Sequence, residues 1–105
     1  MLEGLFGSAN QEKVLLFILI REKGFGAEIA NFYETDLSPI QKQLEKLEMA
    51  GVLSHEKVGR TLLFQFNPRY AFLPELKKLL KKAFDFLPVE TQILYTHNRK
   101  RPRRK

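Results

Sequence analysis

From Ile29 to Phe66 the chain compresses the apolar spacing of two short helices, a tight turn between them, and two β-rich runs separated by Gly59 and Arg60. Helix, turn, helix and hairpin in that order leave few ways to close a core. They also suit the insertion of the second helix into the major groove of DNA.

The flanking segments fit the same plan. Ser8 or Asn10 can cap a helix running through Val14, Leu15, Phe17, Ile18 and Leu19 to about Lys23, with Gly24 as a stop. This helix is apolar on more than one face, which leaves two readings open: contact with another subunit besides the core, or complete burial at the centre of the domain. A short helix follows over Gly26–Tyr33, then a turn at Glu34 and Thr35. Asp36 or Ser38 caps the next helix, Pro39 sits in its first turn, and Gly51 ends it after Ala50. Along it Ile40, Leu44 and Leu47 form one apolar stripe, and Gln41, Lys42, Gln43, Glu45 and Lys46 occupy the remaining surface. Val52–Val58 and Thr61–Phe66 read as a hairpin. Asn67, Pro68 and Arg69 break the pattern. Leu73, Leu76, Leu80, Phe84 and Leu87 then mark a last amphipathic helix, with Lys77, Lys78, Lys81 and Lys82 on its other face and Pro88 at its end. The predicted class is α+β, mainly α, over residues 1–88, with residues 89–105 as a basic, disordered tail.

Composition narrows the function. A chain of 105 residues has room for one small domain. It has no cysteine, which removes disulfides, thiolate metal sites and thiol nucleophiles and is compatible with a reducing cytosol. The longest apolar run, Val14–Ile20, is far short of the roughly 20 residues that span a bilayer. The start Met1, Leu2, Glu3 lacks the basic flank of a secretory signal, so a cytoplasmic location is expected. Of the net charge of +6, all resides in Arg99–Lys105, and residues 1–98 are formally neutral. That run would hold DNA phosphates without reading sequence, although a nuclear localisation signal or a merely solvated tail has the same composition. His55 and His97 have no ligand-spaced partner, Gly24-Phe25-Gly26 is too short for a nucleotide loop, and no nucleophile–base pair is visible. An enzyme, a metal site and a cofactor are therefore not expected.

With these elements in place, the chain resembles the winged helix-turn-helix transcriptional regulators of the ArsR-like type. The likeness runs from about Leu5 to Leu80. It rests on Leu5-Phe6-Gly7-Ser8, on Gly26-Ala27-Glu28-Ile29-Ala30, on Ile40 to Glu48, on Ala50-Gly51-Val52-Leu53, and on the hairpin residues Val58-Gly59-Arg60-Thr61 and Phe64-Gln65-Phe66-Asn67-Pro68. The resemblance implies a three-helix core with a β-hairpin wing, the third helix, from its Asp36 or Ser38 cap to about Ala50, as the recognition helix, and a dimer built by the first helix and an additional C-terminal helix. Three departures stand out. The cysteines of metal-sensing members are missing, Leu62 stands where similar wings carry a cation, and Glu45 and Glu48 lie on the reading helix behind Glu34 and Asp36.

The expected partner is double-stranded DNA, bound by a homodimer acting as a repressor. Gln41 and Gln43 would read bases, Ser38, Lys42 and Lys46 would contact bases and phosphates, and Lys57, Arg60 and Thr61 would hold the flanking backbone. Leu15, Leu19, Leu73, Leu76, Leu80, Phe84 and Leu87 would form the dimer interface. The alternative is a winged-helix docking or dimerisation module without specific DNA reading, which the neutral body and the acids on the reading helix favour.

Overall fold

The computed structural model describes residues 1–97. Its elements are α1 (Glu3–Phe6), α2 (Ala9–Arg21), β1 (Lys23–Phe25), α3 (Gly26–Phe32), α4 (Leu37–Met49), β2 (Leu53–Val58), β3 (Thr61–Phe66), α5 (Leu73–Asp85) and α6 (Val89–His97).

The middle of the first long helix lies buried at the centre of the domain. Ser8 caps α2 by accepting from the Gln11 N–H at 3.3 Å, and every residue from Val14 to Ile18 is buried. This stretch is covered because α1, α4, α5, α6 and β1 each pack against α2. Burial of a large aliphatic or aromatic side chain stabilises by about 1.5–3 kcal/mol, so this one helix organises much of the hydrophobic core.

α2 ends at Arg21, earlier than the glycine predicted as its stop. Glu22 takes a positive φ of 73° there instead, and its N–H bonds Ile18 O at 2.7 Å. Gly24 has another role, in β1, one of the two edge strands of an antiparallel sheet of order β1-β3-β2. It lies opposite Phe64. A Cβ there would lie 2.8 Å from Phe17 Cε1 and 3.2 Å from Ile29 Cδ1. Only a hydrogen at this position lets the Phe17 ring slide under the sheet.

The boundaries of the central motif have clear chemical causes. α4 closes on Gly51, φ 83°, with the Val52 N–H bonded to Leu47 O at 2.9 Å and the Gly51 N–H to Glu48 O at 3.0 Å. This is a Schellman ending, with Val52 and Leu47 both buried beside it. The turn between α3 and α4 repeats the pattern. The Thr35 N–H bonds Ala30 O and the Glu34 N–H bonds Asn31 O, with Glu34 holding the left-handed position at φ 55°. In the hairpin, Val58 pairs with Thr61 and Gly59 alone of the two turn residues has a positive φ, 63°.

The C-terminal region differs from expectation. Residues 89–97 are not tail but helix α6, and the folded unit extends past Pro88. Its anchor is Tyr95, 4% exposed, whose ring packs 4.8 Å from Phe32 and 5.3 Å from Phe84 between centroids. The Tyr95 and Tyr33 hydroxyls are 2.8 Å apart, Tyr33 donates to Lys13 O at 2.7 Å, and Arg21 Nε donates to Tyr95 O at 2.6 Å. Burial pushes both phenols above the ordinary tyrosine range, which keeps them neutral and able to donate. The Arg99–Lys105 run lies outside the described residues. At the other end, the buried Glu12 carboxylate accepts from the Leu2 N–H at 3.0 Å and holds α1 against α2.

Gly24→Ala is expected to destabilise the fold by about 1–3 kcal/mol through overpacking against Phe17. A denaturant melt of the variant against the native chain measures it.

Candidate nucleic-acid interface

α4 turns about 100° per residue, so burial of Ile40, Leu44 and Leu47 fixes which of its side chains can face outward. Directly opposite this stripe lie Ser38, Lys42, Glu45 and Met49, all exposed. Lys46 is exposed on one flank of this ridge, and Gln41 is half-buried on the other. Leu37, Ser38, Gln41, Lys42 and Glu45 together line a shallow depression along the helix. Gly26, at the start of α3, leaves room for one of these groups: a Cβ there would stand 3.1 Å from Gln41 Oε1.

Gln43 does not join this surface. It is 8% exposed, on the edge of the buried stripe, and its Oε1 accepts from Gln11 Nε2 at 3.3 Å. Read in sequence, Gln41 and Gln43 looked equivalent. Two residues on a helix are about 200° apart, so only one of the pair can point outward.

The two acids of α4 also separate. Glu48 faces β2, where its carboxylate meets His55 Nδ1, and the His55 ring sits 5.5 Å from that of Phe64. This clip ties the end of α4 to the first strand of the hairpin, and sequence reading missed it. The seven-residue separation across an element boundary carries no periodic signal. Glu45 is left on the outer ridge.

The hairpin rises beside α4. Lys57 and Arg60 are exposed near and at its tip. Thr61 spends its hydroxyl on closing the turn, donating to Val58 O at 2.9 Å. Leu62, opposite Lys57, packs partly against the core.

The residues expected to join two subunits fall into two groups. Leu15, Leu80 and Phe84 are 1%, 0% and 6% exposed within a single chain, and belong to its own core. Leu19, Leu73, Leu76 and Leu87 are half-buried. A different apolar seam runs along α5: Phe72, Leu76, Leu79, Ala83 and Phe86, at alternating four- and three-residue spacing. Leu79, Ala83 and Phe86 line a groove with Met1 and Leu2 at the N-terminus. Phe72 is 64% and Phe86 71% exposed.

Among the described residues no three His, Asp or Glu side chains cluster as a metal site, and no helix is long and apolar enough to cross a membrane.

This arrangement of helices and hairpin is a winged helix. The chain superposes on a double mutant of Lactococcus lactis ZitR in its apo form with a TM-score of 0.56, at 15% identity, over 87% of this chain and 77% of that one. No protein-family model matches the chain, and no curated protein is significantly similar to it. The structural likeness carries the fold.

Gln43→Ala is expected to lower stability by about 1 kcal/mol by stranding the Gln11 amide. Gln41→Ala, at a half-open position, should stay within about 0.5 kcal/mol of the native chain. Chemical denaturation of both variants checks the assignment of buried and outward faces.

Proposed function

We propose that the chain is a sequence-specific, double-stranded-DNA-binding transcriptional regulator of the ArsR-like type, acting in the cytoplasm as a homodimeric repressor. The observation that carries this reading is the polar outer ridge of α4 standing beside a cationic wing tip. Ser38, Lys42, Glu45 and the flanking Lys46 are exposed, and Lys42, Glu45 and Lys46 make no ion pair among the described residues. A helix of this size fits the major groove, while a hairpin tip with Lys57 and Arg60 reaches the neighbouring backbone. The likeness of fold to ZitR supports the winged-helix scaffold on which this reading stands.

In this assignment Gln41 reads an adenine edge, Ser38, Lys42 and Lys46 share base and phosphate contacts, and Lys57 and Arg60 hold the flanking phosphates. Thr61 shapes the wing tip. Gln43 supports α4 from behind. The second copy docks along the α5 seam and α1, through Phe72, Leu76, Leu79, Phe86, Met1 and Leu5, and places two reading helices about 34 Å apart on a palindromic site. Occupancy of that site would block transcription.

A docking module is the second reading. Met49, 91% exposed at the end of α4 with Glu45 one turn before it, favours it, since an exposed apolar side chain beside an acid suits a protein partner.

Selection from a random double-stranded DNA pool at two salt concentrations separates the readings. A recovered motif that survives truncation after Asn98 establishes DNA reading, and binding that vanishes with the truncation favours docking. Arg60→Ala is expected to weaken all sequences alike and to lower the salt dependence by about one phosphate contact. Gln41→Ala should relax preference at one position.

For assembly, Phe86→Asp should convert the dimer to monomer in analytical ultracentrifugation, with little change in the melting of the isolated subunit.

A further inference from the structure

We infer that Glu45 is a specificity-determining residue, whose carboxylate selects a cytosine in the major groove. This rests on the DNA-reading assignment of α4 and deepens it.

The position admits no neutral role on a DNA-facing helix. Glu45 lies in the outer ridge between Lys42 and Met49, opposite the buried stripe of Ile40, Leu44 and Leu47. Whatever surface meets α4 meets this carboxylate. It also has no intramolecular task. Glu48, one turn on, is engaged by His55, and Glu12 holds the backbone of Leu2. Glu45 makes no side-chain hydrogen bond or ion pair among the described residues, and the side chains four residues away on either side are Gln41 and Met49. It stands in the second half of α4, Leu37–Met49, too far from the N-terminus to gain from the helix dipole.

What such a group can accept from is limited. A carboxylate is an acceptor only, and phosphates repel it. In the major groove guanine offers N7 and O6 and thymine offers O4, all acceptors. Adenine offers one amino donor, but beside the acceptor N7. Cytosine offers its N4 amino donor with no adjacent acceptor on the same edge. Cytosine is therefore the favoured base, adenine a poorer second, and guanine and thymine are excluded.

The neighbouring side chain supplies the complement. Lys42, three residues earlier on the same ridge, is a donor suited to guanine O6 and N7. Three residues of helix rise about 4.5 Å, near the about 3.4 Å between stacked base pairs. Lys42 and Glu45 can thus address the same or adjacent G·C pairs. The acid lowers affinity for every sequence lacking a suitably placed amino group, and in this way contributes to discrimination by penalising wrong sites.

The test is selection from a random double-stranded pool with the full chain and its E45Q and E45A variants, each first shown to melt like the native protein. The native chain should return a motif with a required cytosine. E45Q should change that base to adenine and leave the other positions intact, because a glutamine amide pairs with adenine N6 and N7. E45A should erase the preference there and raise affinity for sites lacking the cytosine by roughly 10-fold or more. A motif unchanged in both variants overturns the inference while leaving DNA reading in place. A native chain that selects no motif overturns it together with the assignment on which it rests.

Discussion

The Phe17 ring beneath Gly24 is the contact on which the arrangement of the whole domain depends. It goes with the burial of the whole stretch Val14–Ile18 of α2, with the Phe17 ring against the sheet. It requires β1 to run close over α2, which a side chain at residue 24 would prevent. β1 in turn pairs with β3 and sets the base of the hairpin relative to the helices. The wing is therefore anchored twice: at its base through β1 and Phe17, and along β2 through the clip of His55 and Glu48 to α4. A cationic tip mounted on two such contacts is held in place relative to the outer ridge of α4.

Around α2 the same economy governs polar groups. Glu12 and Gln43 are the buried polar side chains among the described residues, and each is spent on a hydrogen bond, with Leu2 N and Gln11 respectively. Arg21 lies over the rings of Phe17 and Phe32, its Cζ 5.0 Å and 5.2 Å from their centroids, while its Nε holds the Tyr95 carbonyl. Polar groups inside the domain thus fasten peripheral elements to the centre, and the outer ridge of α4 is left exposed.

Much of this was legible from residue order. The helix over Gly26–Phe32, the α4 stripe, the Gly51 ending and the two-residue turn at Gly59 all follow from local chemistry that acts within a few positions. What was not legible depends on distant contacts. The three residues of β1 carry no alternation to detect, and their glycine reads as a helix stop until the Phe17 ring is seen beneath it. α6 is held by Tyr95, while its apolar residues Val89, Ile93 and Leu94 are exposed, so no stripe announces it. On α5 two apolar rows share the helical period: Leu73, Leu76, Leu80, Phe84 and Leu87, and Phe72, Leu76, Leu79, Ala83 and Phe86. Periodicity finds the helix, but only packing decides that Leu80 and Phe84 turn inward and Phe86 outward. The same ambiguity misplaced Gln43.

The attachment of α6 beside α3 also fixes an origin. With Tyr95 bound to Tyr33 and stacked near Phe32, the chain leaves His97 from a point alongside the helix-turn-helix rather than from the far end of α5. The sequence that follows His97, with its six cations between residues 99 and 105, is therefore joined to the fold beside α3.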